Sequence, residues 1–290
     1  MRIALLGSGV MGSAVLSSIV AADGVTEVVV TDVRAQVARD VAGAHDGGGS
    51  GVAVSGTDDN VAAVTGAGVV VLAVKPQHMG DLLAQVGTAV GQEAVVVSIA
   101  AGLTCAYLEA ALPDGVAVVR VMPNTPATIG RGVAALSAGS AADATHLDLV
   151  ERLLERTGLV VRVPEHQQSI VTAISGSGPA YVFHLIDALA EAGTAGGLPR
   201  DLALRLAAHT VAGSGAYAVE SGTHPALLRE AVSSPGGTTL AALAVLDERA
   251  VRAAYAAAAR AAADRADELS AGLKGSSGSS GPSSPSGSRA

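Results

Sequence analysis

A chain of 290 residues is long for one compact domain and short for three, so two domains are expected. Apolar residues make up 49% and charged ones 15%, which supplies a large core and argues against wholesale disorder. The formal net charge of −8, with no basic run, argues against nucleic acid as a partner. The single cysteine, Cys105, cannot close an internal disulfide, and no apolar stretch is expected to reach the roughly 18 residues of a membrane span, so a cytoplasmic protein without membrane contact is expected.

Met1 leads straight into the strand-like run Arg2–Leu6, so no signal peptide is expected. Gly7-Ser8-Gly9-Val10-Met11-Gly12 follows that run and opens a helix-like stretch. In this setting the three glycines serve different steric ends, namely a tight turn, backbone approach to a pyrophosphate, and close helix–strand packing. The helix N-terminus then offers unpaired N–H groups to the phosphates. A dinucleotide site is expected here.

The next run, Val28–Val30, leads into Thr31-Asp32-Val33-Arg34, with Asp32 about 20 residues beyond Gly12. An acid at that place accepts hydrogen bonds from ribose hydroxyls and repels a 2′-phosphate, favouring NADH. Arg34 would instead grip that phosphate, favouring NADPH. The sequence leaves both open.

A Gly-rich loop, Asp46–Gly51, comes next, and then the run Val69–Val74. Ala73-Val74-Lys75-Pro76 lies at its carboxyl end, the edge where ligands collect in open sheets. Lys75 is a candidate for the nicotinamide ribose or a phosphate, or else a plain exposed lysine. After a helical stretch at Gln77–Val90 the run Val95–Ile99 ends in the small residues Ser98–Gly102, where Ala100 permits close approach of a planar ring. Val116–Val121, Val133–Leu136 and Leu159–Val163 complete the series, with helical spacing over Asp143–Thr157. Continuous apolar runs bounded by Gly, Pro or Asp are how strands covered on both faces read. Their alternation with helices predicts an α/β Rossmann domain over residues 1–164, a doubly wound and mostly parallel sheet.

Beyond Pro164 the strands stop. Helices are predicted over Glu165–Ile174, Pro179–Ala195, Pro199–Glu220, Pro225–Val232, Thr239–Leu246 and Glu248–Ser270, an all-α domain spanning 165–271. Residues 272–290 read as a disordered Gly/Ser/Pro tail without core or chemistry. The helical half is short, Ala-rich and nearly free of aromatics, so it buries too little to offset its chain entropy. A second copy is expected to complete it, giving a homo-dimer or a larger homo-oligomer. The seven histidines show neither HExxH spacing nor cysteine partners, so no metal is expected.

Five motifs occur in order: Gly7–Gly12; Val74-Lys75-Pro76-Gln77; Val121-Met122-Pro123-Asn124-Thr125-Pro126; Ser175-Gly176-Ser177-Gly178-Pro179-Ala180-Tyr181; and Val232-Ser233-Ser234-Pro235-Gly236-Gly237-Thr238-Thr239. Together they resemble the pyrroline-5-carboxylate reductase family over roughly residues 2 to 270, the last motif being the most diagnostic. The resemblance implies a Rossmann domain followed by a helical domain that interlocks with its mate. It implies NADPH or NADH as cofactor and hydride transfer to the cyclic imine of pyrroline-5-carboxylate, the last step of proline biosynthesis. It also implies that the amides of Gly237, Thr238 and Thr239 hold the substrate carboxylate and that the Thr239 hydroxyl is catalytic, supplying or relaying a proton at the ring nitrogen. Ser234 would be a second polar contact, and Asn124 and Ser177 would shape the pocket.

The residues themselves support part of this. Two glycines and two threonines ahead of an apolar helix make a nest of free amides for a carboxylate, although Thr is also simply a good N-cap. A β-hydroxyacid dehydrogenase of similar architecture would need a lysine in the helical half, and none lies between Pro164 and Leu273. A dinucleotide-binding regulator without turnover is the alternative of a different class.

Overall fold

A computed structural model describes residues 1–45 and 51–275; the Gly-rich loop at 46–50 and the tail beyond 275 lie outside the described residues. Strands and helices alternate through the first half. The chain runs β1 Arg2–Leu6, α1 Val10–Val20, β2 Glu27–Thr31, α2 Ala35–Gly43, β3 Ala53–Thr57, α3 Asn60–Val64, β4 Val69–Leu72 and α4 Met79–Val86. It continues through β5 Val95–Ser98, α5 Cys105–Glu109, β6 Ala117–Met122, β7 Gly132–Ala138, α6 Ala144–Leu154 and β8 Gly158–Arg162. The eight strands form one sheet in the order β3-β2-β1-β4-β5-β6-β7-β8, parallel except for the β6–β7 pair.

The chain therefore starts mid-sheet, winds outward to β3, then returns to the other side of β1. That reversal makes the carboxyl ends of β1 and β4 a topological switch point, the place where open sheets leave a crevice. Alternation along the strands splits the core into two layers. Ile3, Leu5, Val28 and Val30 pack with Leu16, Ile19 and Leu153 on one face, while Ala4, Leu6, Val70 and Leu72 pack with Leu83, Val86 and Leu108 on the other.

All seven apolar runs form strands, and β3 is an eighth that the pattern did not announce. It reads Ala-Val-Ser-Gly-Thr and buries only Val54 fully. As an edge strand it needs no continuous apolar run. Gly56 lets α2 lie directly on it, since a Cβ there would sit 2.3 Å from the Ala38 carbonyl carbon. The helix expected over Gln77–Val90 is shorter, α4 alone, with a 3₁₀ turn on either side at Pro76–His78 and Gly87–Ala89.

After β8 come α7 Gln168–Val171, a π-helical turn Thr172–Gly176, α8 Gly178–Ala195, α9 Arg200–Ser221, α10 Pro225–Ala231, α11 Thr238–Glu248 and α12 Val251–Gly275. The predicted break before Glu248 falls instead at Ala250, whose φ is 52°, and α12 runs on into the segment expected to be tail. The regular helix expected through Ile174 is a π turn. Thr172 and Ser175 hydroxyls donate to the carbonyls of Gln168 and Val171 at 2.7 and 3.0 Å, and the Asn124 amide draws the Ser175 carbonyl out of the ladder at 3.0 Å.

The chain divides into two compact units: Met1–Gly176 together with the segment starting at Ala262, and Ser177–Ala261. In the first, the end of α12 packs within the unit, where the Ser169 hydroxyl bonds Asp267 and Leu269 lies against Gly102. In the second, α8 and α9 enclose a core of only Ala190, Ala203 and Ala207, with Ile186 beside it. Phe183, Leu206, Tyr217, Val219 and Val245 are all exposed, and neither α10 nor α11 has a buried residue. One expectation needs correcting here. The helical run Glu165–Ala195, 31 residues with a window of mean hydropathy 1.2, is long and apolar enough to cross a bilayer by length and composition alone. The sequence pattern breaks this run at Ser175–Gly178, whereas Pro179 in the first turn of α8 leaves the run helical on both sides of Ser177.

Candidate active site

The switch point is built from three glycines with different surroundings. Gly7 has φ +110°, and a Cβ there would lie 2.8 Å from the Ala73 carbonyl. At Gly12 a Cβ would lie 2.2 Å from the Gly7 carbonyl oxygen. Gly9 faces open space, with nothing within 4 Å of its Cβ position. Two glycines are thus fixed by packing inside the protein, and the third opens a path for another molecule to reach the backbone. Gly9 is also the N-cap of α1 and provides no side-chain cap, so the first-turn amides of Val10, Met11 and Gly12 have no intrahelical partner. This donor set fits the pyrophosphate of a dinucleotide.

Ser8 is buried, and its hydroxyl donates to Asp32 Oδ2 at 2.6 Å. Asp32 Oδ1 accepts the Arg34 backbone N–H at 3.1 Å, while the Arg34 guanidinium stands off at 3.9 Å and is largely exposed. Burial by itself would raise the Asp32 carboxyl, but the hydrogen bonds from Ser8 and Arg34 and the charge of Arg34 outweigh it and hold it below the ordinary carboxylate value.

The remaining dinucleotide candidates share the same sheet edge. Ala73 N–H donates to Leu6 O at 2.8 Å, which ties the end of β4 to the end of β1. Val74 and Pro76 are half-buried and Lys75 is exposed, its carbonyl accepting from His78 N at 2.9 Å. Ile99 N–H donates to Leu72 O at 3.1 Å, which brings the buried Ala100 alongside. At the end of β6, Asn124 is buried and has both ends of its amide engaged within the protein. Its Oδ1 accepts Val133 N–H at 2.8 Å and its Nδ2 donates to the Ser175 carbonyl at 3.0 Å.

Comparison with known proteins decides the family. The family model described as pyrroline-5-carboxylate reductase dimerisation matches residues 165–269, and one described as NADP oxidoreductase, coenzyme F420-dependent, matches residues 2–102. A pyrroline-5-carboxylate reductase of Methanosarcina acetivorans is 36% identical over 86% of this chain and 91% of its own length. The Corynebacterium melassecola reductase is 40% identical over 86% of this chain and 91% of its own length. The chain belongs to the pyrroline-5-carboxylate reductase family. Among solved structures, the family's reductase from Coxiella burnetii superposes with a TM-score of 0.83 at 33% identity, covering 92% of this chain and 98% of that one. The Plasmodium falciparum enzyme, solved with NADP bound, gives 0.78 at 26% identity over 93% and 98%.

In the helical unit the family's signature turn has a defined backbone. Gly236 takes φ +68°, and Gly237 N–H closes the turn on Ser234 O at 2.9 Å. Gly237 then caps α11 with extended backbone and no side-chain hydrogen bond, leaving the first amides of the helix without an intrahelical partner. Thr239 is half-buried there, and Thr238 and Ser234 are exposed. Ser177 precedes α8, its carbonyl accepting from Ala180 N at 3.0 Å.

Two groups at the sheet edge are not announced by the sequence pattern. Asn60, at the start of α3, accepts the Thr31 hydroxyl at 2.6 Å and donates to Gln85 at 2.9 Å. The cap pattern Thr57-Asp58-Asp59-Asn60 is the available signal, with Asp59 accepting Ala62 N–H at 2.9 Å, but it carries weight only once β3 is known. Arg120, buried within β6, pairs with Glu165 at 3.2 Å, and the same Glu165 oxygen accepts Cys105 N–H at 2.7 Å. An arginine inside an apolar run demands a carboxylate somewhere, and that is its signal.

Proposed function

We infer that this chain reduces the cyclic imine of pyrroline-5-carboxylate with NAD(P)H to give proline. The observation that carries the reading is the uncapped N-terminus of α11 in the signature turn, where Gly236 at φ +68° and the extended Gly237 lead into the free amides of Thr238 and Thr239. Such a turn suits a carboxylate, because free N–H groups and the positive end of the helix act on the same charge.

A bound nicotinamide supplies the hydride. The protonated imine is already electrophilic at carbon, so the chief demand on the protein is orientation. Of the three amides expected to hold the substrate carboxylate, Gly237 N–H is engaged by the Ser234 carbonyl at 2.9 Å, so we assign the carboxylate to the amides of Thr238 and Thr239, with the Ser234 hydroxyl as a further polar contact. The Thr239 hydroxyl serves the ring nitrogen, supplying or relaying its proton. On the cofactor side, Gly7–Gly12 receives the pyrophosphate, Asp32 and Arg34 the adenosine ribose, and Ala73–Pro76 with Ala100 the nicotinamide half. Ser177 contributes to the walls of the substrate pocket, and Asn124 shapes it from behind by holding the Ser175 carbonyl.

The domain division 1–164, 165–271 and a tail belongs to the same reading, as does assembly as a homo-dimer through the helical domain. The exposed apolar side chains of α8, α9 and α11 support the latter. We place the protein in the cytoplasm, in keeping with its one unpaired cysteine. A steady-state assay of pyrroline-5-carboxylate with each nucleotide tests the whole reading, and absence of turnover with both would reject it. Thr239→Ala is expected to lower kcat by about 10- to 100-fold, at or below the usual range for a general acid, with Thr239→Ser recovering most of it.

A further inference from the structure

The adenosine end of the cofactor site has a charge arrangement that bears on which nucleotide it accepts. Asp32 is fixed from two sides, by the Ser8 hydroxyl at 2.6 Å and the Arg34 N–H at 3.1 Å, with its side chain only 17% exposed. Its carboxylate covers the Arg34 N–H at the start of α2, a position a phosphate would otherwise take. β3 runs beside β2, and Asp32 N–H bonds the Thr57 carbonyl at 3.3 Å, so Asp58 and Asp59 leave β3 at the same edge. Asp32 is thus an immobilised carboxylate at this edge, and Asp58 and Asp59 follow the neighbouring strand. Arg34 is the cation among them, 75% exposed and 3.9 Å from Asp32. A freely moving guanidinium exchanges its contacts for water at little cost, whereas a pinned carboxylate cannot withdraw from an incoming phosphate.

We propose that Asp32 makes this reductase discriminate in favour of NADH over NADPH, by accepting the ribose hydroxyls and repelling a 2′-phosphate that Arg34 only partly neutralises. The proposal rests on reading the first unit as the nicotinamide dinucleotide site and adds to it the choice of nucleotide.

Isothermal titration of the purified full-length protein with NADH and with NADPH, without substrate, is the direct test. NADH should bind about fivefold or more tightly at low ionic strength, and the gap should narrow as salt screens the repulsion. Asp32→Asn removes the charge, keeps one acceptor for the Arg34 N–H and turns an amide donor toward the Ser8 hydroxyl, which can accept, and should bring the two affinities together or reverse their order. Arg34→Ala should weaken NADPH more than NADH. The ratio of kcat/KM for the two nucleotides should follow the ratio of binding constants in each variant. Equal or tighter NADPH binding by the wild-type protein would overturn the discrimination, as would an unchanged ratio in Asp32→Asn with its thermal midpoint preserved. Failure to bind either nucleotide would overturn the cofactor site itself along with it.

Discussion

Gly9 and Gly12 belong to one motif but answer to different constraints, and substitution separates them. A Cβ at Gly12 would meet the Gly7 carbonyl oxygen at 2.2 Å, a backbone atom that cannot step aside. Gly12→Ala should therefore lower stability by about 1–3 kcal/mol, visible as a reduced thermal midpoint. At Gly9 the added methyl meets nothing in the protein. Gly9→Ala should leave the thermal midpoint nearly unchanged yet weaken nucleotide binding by about tenfold, since the methyl enters the space left for a ligand. A large loss of stability in Gly9→Ala would show that the open space has a structural purpose instead. Cys105 offers a pH-dependent test of the same kind. Burial, followed by the charge and hydrogen bond of Glu165, pushes its thiol from 9.0 to about 12. The folded thiol stays protonated where the unfolded one has begun to ionise, so stability is full below pH 9 and falls as pH rises from 9 toward 12. Cys105→Ala should flatten that alkaline decline in denaturant titrations, and the native thiol should resist alkylation at neutral pH.

At the scale of elements, legibility followed burial on both faces. β1, β4 and β5 are inner strands, and their unbroken apolar runs announced them. β3 is an edge strand held by Val54 and by α2 lying over Gly56, so its pattern carried little signal, and Asn60 went unread with it. The glycine motif was legible because its setting between strand and helix is local. The π turn at Thr172–Gly176 was not, because Asn124, which pulls out the Ser175 carbonyl, lies 51 residues earlier in the chain. Asn124 joins β7 to that turn, donating at one end of its amide and accepting at the other. Asn124→Leu would leave the Val133 N–H and the Ser175 carbonyl unpaired. It should cost about 1–3 kcal/mol for each group that stays buried, with the loss in denaturant midpoint exceeding any rise in KM for the imine. The opposite pattern, an unchanged midpoint with a raised KM, would make Asn124 a direct substrate contact.

At the scale of the whole molecule, the two units differ in how far each closes its own core. The sheet unit packs both faces with Val, Leu and Ile, and its largest core side chains are fully buried. The helical unit buries three alanines between α8 and α9 and leaves Phe183 62%, Leu206 51% and Val219 82% exposed. Alanine cores bring helices close but remove little area from water, a removal that stabilises by about 25 cal/mol for each square ångström, so the exposed apolar side chains of this unit are surface that a partner would cover to its gain. If a second copy covers that surface, light scattering should give a mass of at least two chains, and the thermal midpoint should rise with protein concentration. Leu206→Asp and Val219→Asp then become decisive. On a lone chain both side chains already face solvent, and a charge there should change stability by no more than about 0.5 kcal/mol. In an interlocked pair the same charges would be driven into the interface, dissociating the assembly and lowering the midpoint together. A wild-type chain that stays monomeric at every concentration, with both variants as stable as it is, would leave the exposed faces of α8 and α9 without a partner and the dimer without support.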